Sequence, residues 1–98
     1  MSIEINDHDW VWVVVILGAP GEDQLLGQQL EDDNISFIPT FMEKDDALKC
    51  YNLLVLADDK KYEVQALLFE DLKREAAAGG FEIFVLGPKG EIRDRVVP

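Results

Sequence analysis

The stretch Trp10-Val11-Trp12-Val13-Val14-Val15-Ile16-Leu17 is apolar at odd and even positions alike, and seven of its eight residues are β-branched or aromatic. A strand with one wet face alternates apolar with polar, whereas a strand apolar at both parities is covered on both faces. The run therefore predicts a central strand. Gly18-Ala19-Pro20-Gly21 then breaks the chain, because Pro lacks an amide donor and Gly accepts the positive φ of turns. Residues 22–31 are ambiguous: Leu26 and Leu30 fit a helical face, but Gly27 costs about 1 kcal/mol inside a helix. A second, partly exposed strand over residues 24–30 is the reading adopted. Asp32-Asp33-Asn34 suits a turn, and Ser36-Phe37-Ile38-Pro39-Thr40-Phe41 an extended segment. Pro39 places that strand at an edge or near its own end.

Thr40-Phe41-Met42-Glu43 fits a capping box, in which the Thr hydroxyl and a Glu three residues later satisfy reciprocal amides. A helix is expected from there to about Leu53, with Ala47, Leu48, Tyr51 and Leu54 as its apolar stripe. Ala57-Asp58-Asp59-Lys60-Lys61 is a charged loop, and Tyr62-Glu63-Val64-Gln65-Ala66 alternates as a half-buried strand does. A second helix is expected from Leu68 to Ala78. Leu72 and Ala76 continue its row, Glu70 and Asp71 sit in its first turn, and Gly79-Gly80 stops it. Phe81-Glu82-Ile83-Phe84-Val85-Leu86, Gly87-Pro88-Lys89-Gly90 and residues 91–97 make the clearest hairpin, with a type I turn closed by a glycine bulge.

The fold class is thus α+β: a single mixed or antiparallel sheet of about five to six strands with two helices packed largely on one face, in the order β-β-β-α-β-α-β-β. One domain is expected over residues 1–98, with residues 1–8 frayed, since 98 residues are too few for two cores.

Composition narrows function by exclusion. Twenty acidic residues against nine basic ones give a formal charge of −11, which is the wrong sign for phosphate backbones and anionic membrane surfaces. Residues 1–50 hold eleven acids and two lysines, a net of −9, and residues 51–98 hold nine acids and seven bases, a net of −2. Cys50 is the only cysteine, so no internal disulfide is available, and the apolar run 10–17 is too short to span a bilayer. A cytoplasmic setting is the expectation, with neither nucleic acid nor membrane as partner.

No catalytic constellation stands out. His8 is the sole histidine, flanked by Asp7 and Asp9, and Cys50 lies beside a helical apolar stripe where a thiol packs as a small hydrophobe. The pairs Asp32-Asp33, Asp45-Asp46 and Asp58-Asp59 lack calcium-loop spacing, and Gly18-Ala19-Pro20-Gly21 lacks the Lys-Ser/Thr ending of a phosphate loop. No cofactor or metal is expected. The candidate contact residues are instead Trp10 and Trp12, which alternation puts on one strand face, with Phe37 and Phe41 bordering the same surface. Arg93 and Arg95 share a face of the last strand and suit an acidic surface on a second copy, giving a homodimer.

The block Ser36-Phe37-Ile38-Pro39-Thr40-Phe41 followed by Glu43-Lys44-Asp45-Asp46-Ala47-Leu48 resembles the corresponding block of the enhanced-serine-sensitivity (SseB-type) domains, over roughly residues 36–54. Met42 stands where those domains more often carry a Ser or Thr cap. The resemblance implies a small bacterial, cytosolic α+β domain and brings no catalytic residues. The expected function is a non-enzymatic protein–protein interaction or regulatory module, steered toward a basic partner by its acidic field. The alternatives are a small-molecule or metal-binding module using the Trp10/Trp12 face or an acidic pair, and a mimic of nucleic acid occupying a basic groove.

Overall fold

A computed structural model describes residues 5–18, 23–30, 34–54, 56 and 58–98. The fold is α+β, with one mixed sheet and two helices. Its strands are β1 (Trp10–Leu17), β2 (Gln24–Leu25), β3 (Gln28–Leu30), β4 (Ile35–Phe41), β5 (Lys61–Leu68), β6 (Glu82–Leu86) and β7 (Ile92–Val96). Helix α1 (Lys44–Cys50) runs into a single 3-10 turn, Tyr51–Leu53, so the first helical stretch ends where the apolar stripe predicts. Helix α2 (Phe69–Gly79) ends on Gly80, whose φ of 74° is the left-handed cap that glycine supplies at least cost.

β1 is central, as its two-parity apolar run requires. It pairs along its whole length with β5, and on its other side with β4 and β2, while β6 lies parallel beyond β4 and β7 closes the far edge. The turn at residues 87–90 has the expected form: the Gly90 amide donates to the Gly87 carbonyl at 3.0 Å, and Gly90 adopts a φ of 78°.

The two helices lie on opposite faces of the sheet, which corrects the expectation of one face. Val11, Val13, Val15, Ile38 and Ile83 pack with Phe69, Leu72 and Ala76 of α2. On the other face Phe41, Phe84 and Leu86 pack with Ala47 and Cys50 of α1, while Trp12 and Val64 adjoin that cluster. The cause is topological. From β4 the chain crosses β1 to reach β5, and from β5 it crosses back over β1 and β4 to reach β6. Two crossovers of the same hand running in opposite directions must place their helices on opposite sides.

Pro39 shapes the middle of the sheet, and not as an edge strand: β4 lies between β1 and β6. The β1–β4 register pairs Trp12 with Phe41 and Val13 with Thr40, so Val14 would meet Pro39 next. Pro39 has no N–H to give, and the Val14 carbonyl instead accepts from the Leu26 amide at 2.8 Å. The strands part there, and residues 24–30 fill the gap as two short strands, β2 on β1 and β3 on β4, in place of the single strand expected. This is why the sheet has seven strands among the described residues rather than five or six.

The wedge is locked by one ring. A Cβ at Gly27 would lie 2.5 Å from Cε1 of Phe81, and one at Gly79 would lie 2.8 Å from its other edge. Phe81 is therefore held between two glycines. Gly27→Ala is expected to lower stability by about 1–2 kcal/mol, in the lower part of the range for overpacking, as measured by urea unfolding; an unchanged midpoint would show that the ring moves freely.

The expected capping box does not form. Thr40 is buried within β4 and its hydroxyl donates to the Ile38 carbonyl at 3.2 Å, while Glu43 precedes the first turn of α1 without a side-chain cap. Residues 5–9 fold against the start of α2; residues 1–4 lie outside the described part. The Phe69 and Glu70 amides at the start of α2 donate to the Asp9 and Asp7 carbonyls at 2.9 and 3.0 Å, and Asp7 pairs with Lys73. The N-terminal turn thus supplies the partners that the first amides of α2 need, which the apolar Leu68 side chain cannot.

Candidate functional site

Strand alternation places Trp10, Trp12, Phe37 and Phe41 on the α1 face, as expected, but they form no common surface. Phe41 is fully buried in the α1 core and offers nothing to a partner. Trp12 is half-buried, with the Lys44 ammonium 5.5 Å from its ring centroid, and only Trp10 stands out, 62% exposed. Phe37 lies four residues along β4 from Phe41, about 13 Å at strand rise, and stacks on Phe84 with centroids 4.3 Å apart.

Arg93 and Arg95 are both engaged within the chain. Arg93 pairs with Asp46 of α1 at 3.6 Å. Arg95 forms a fork with Glu82, at 2.5 and 2.9 Å, and its guanidinium lies 5.7 Å over the Phe84 ring. Cross-strand placement explains this, since Arg95 is opposite Phe84, two residues beyond Glu82 and on the same face.

The acid pairs do not converge. Asp46 is taken by Arg93, Asp58 and Asp59 are exposed in a turn, and Asp32-Asp33 lies outside the described residues. Among the described residues no group of three or more His, Cys, Asp or Glu side chains could hold a metal ion. His8 is exposed in the N-terminal turn. Cys50 is buried against the α1 core, and burial, with a smaller contribution from Glu91, pushes its thiol above the ordinary range. A thiol so placed is less of a nucleophile at neutral pH than a free one. Among the described residues no helix is long and apolar enough to cross a membrane.

The feature that sequence reasoning missed lies on the α2 face. A groove of about 650 Å³ lies beside the C-terminal half of α2, on the face of the sheet that this helix covers. Val13 and Val15 of β1, Leu25, Ile38, Leu67 and Phe81 give it an apolar floor. Asp23 and Glu75 supply its charge, Gln65 adds an amide, and among the described residues no Lys or Arg lines it. The Asp23 carboxylate also accepts the Gly18 amide at 3.0 Å, which holds the end of the wedge in place. Glu63 continues the row of β5 side chains that faces the groove, two residues from Gln65. Its elements come from four separate strands and a helix, so no local motif announces it. The one sequence signal pointing toward it was the Gly27, Gly79 and Phe81 set, which fixes the wall but has no recognisable spacing.

No protein-family model matches the chain, and neither the curated proteins nor the solved structures searched contain a match to it.

Proposed function

We propose that this domain works by binding rather than catalysis, and that the α2 groove receives a positively charged segment of another protein. The observation that carries the reading is the groove's chemistry: an apolar floor, two carboxylates on its walls and no cation among its described lining residues. The formal charge of −11 acts in the same direction at long range, drawing a basic partner in and repelling an acidic one. Arginine and lysine suit such a site, because their stems cover apolar surface while their heads reach carboxylates.

The test is calorimetric titration with a capped octapeptide of alternating Lys and Val, beside its Glu and Val counterpart. Saturable binding of the first is expected, weakening about tenfold or more between 50 and 300 mM salt as the Debye length shortens, with no binding of the second. Equal affinity for both peptides, or affinity indifferent to salt, would contradict the reading. A small organic cation is the second reading, favoured by the groove's volume, which lies within the usual range of ligand pockets. It requires a rise in Tm with a monomeric cation alone, because a ligand that binds only the folded state stabilises it by mass action.

A further inference from the structure

Beside this groove the described residues of the sheet end at strand β5. Among the described residues β5 pairs with β1 and with no other strand, over eight residues in unbroken register. The opposite edge, β7, has five residues, an irregularity where it meets Leu86, and two arginines committed to ion pairs. Short, bulged and charged edges are protected from further pairing; long regular ones are templates for it.

The hydrogen bonding of β1 fixes which groups on β5 are available. The Val14 carbonyl accepts from Leu26, so the peptide groups of Val14 face away from β5. In an antiparallel ladder successive residues alternate sides, so Val13 and Val15 face β5 and exchange bonds with Gln65 and Glu63. The N–H and C=O groups of Val64 and Ala66 therefore point outward from the sheet. A strand laid along them would place alternate side chains on the α2 side, beside Gln65 and Leu67 and at the mouth of the groove.

We propose that the partner segment is extended, carries Lys or Arg at alternate positions, and binds as an added strand on the outer edge of β5, with those basic side chains entering the groove toward Glu75 and Glu63. This rests on the groove reading above and specifies its geometry. Main-chain bonds to Val64 and Ala66 give the segment its register, and the carboxylates select its charge. A second copy of the chain is the wrong occupant on charge alone, since each carries −11.

The experiment is amide hydrogen exchange on the isotope-labelled full chain with and without saturating Lys/Val octapeptide. Exchange of the Val64 and Ala66 amides is expected to slow tenfold or more, while Gln65, already bonded to Val13, changes little. Ala66→Pro removes an outward N–H without cutting a bond to β1 and is expected to raise the Kd at least tenfold. Should Ala66→Pro fail to fold, two peptides N-methylated at alternate residues give the same answer from the ligand side: one loses tenfold or more and the other does not. Unchanged exchange at Val64 and Ala66 together with amide shifts around Glu75 and Phe81 would overturn strand addition and leave the groove reading standing. Absence of saturable binding would overturn both. A concentration-dependent dimer that protects these amides without peptide would assign the edge to a second copy and overturn the proposal.

Discussion

Phe84→Ala is expected to cost about 3–5 kcal/mol, the range for truncating a buried aromatic. Phe84 is 1% exposed at the centre of β6, between Pro39 of β4 and Arg95 of β7. Its ring stacks on Phe37, carries the Arg95 guanidinium on its face, and floors the core in which Phe41, Ala47, Cys50 and Leu86 meet. α1 is only seven residues long and lacks a side-chain cap, so it has little stability of its own. Losing the ring would therefore loosen the helix as well as the sheet. Domains of this size have about 5–15 kcal/mol in total, so Tm should fall by at least about 12 °C. Trp10→Ala is the control, expected within about 0.5 kcal/mol because the side chain is mostly exposed. A loss below about 1 kcal/mol for Phe84→Ala, read by urea unfolding, would contradict the assignment of the α1 core.

The double reversal Glu63→Lys/Glu75→Lys is expected to weaken binding of the Lys/Val octapeptide by about thirtyfold while leaving stability nearly unchanged. Each exposed attraction is worth about 0.2–1 kcal/mol, and reversal replaces it with repulsion of similar size. Two such changes amount to about 2 kcal/mol, or thirtyfold. Both side chains are exposed, one on β5 and one on α2, so neither reversal opens a cavity. Measured by the same calorimetric titration, a change of less than threefold would place the binding elsewhere on the protein.

The sequence carried the fold further than it carried the site. Trp10–Leu17 is apolar at both parities, and that alone demanded cover on both faces of β1. Packing both helices on one side ignored this local demand and also the direction of the two crossovers, which becomes visible only when β5 is known to lie beyond β1. The α2 to β7 stretch was legible because capping glycine, apolar row and turn residues agree. Residues 24–30 were not, because their conformation is imposed by a missing donor thirteen residues away in β4: Pro39 leaves the Val14 carbonyl to Leu26.

What the candidate contact residues touch was illegible for a related reason. Alternation assigned Trp12, Phe41, Arg93 and Arg95 to strand faces but not to neighbours, which are α1, the core, Asp46 and Glu82 respectively. The groove is made from residues with no distinction in the sequence. Only the path of α2 across the sheet leaves Glu75 beside β5 and the wedge strand β2.

Binding of the α2 groove to a basic segment is tested most directly by mapping backbone amide shifts of the isotope-labelled full chain as the Lys/Val octapeptide is added at low salt. The expected map is a single saturable cluster at residues 23–25, 63–67 and 75–81, which disappears as salt is raised. Shifts centred instead on Trp10, Leu48 and Leu53, the exposed apolar residues on and around α1, or shifts spread evenly without saturation, would contradict it.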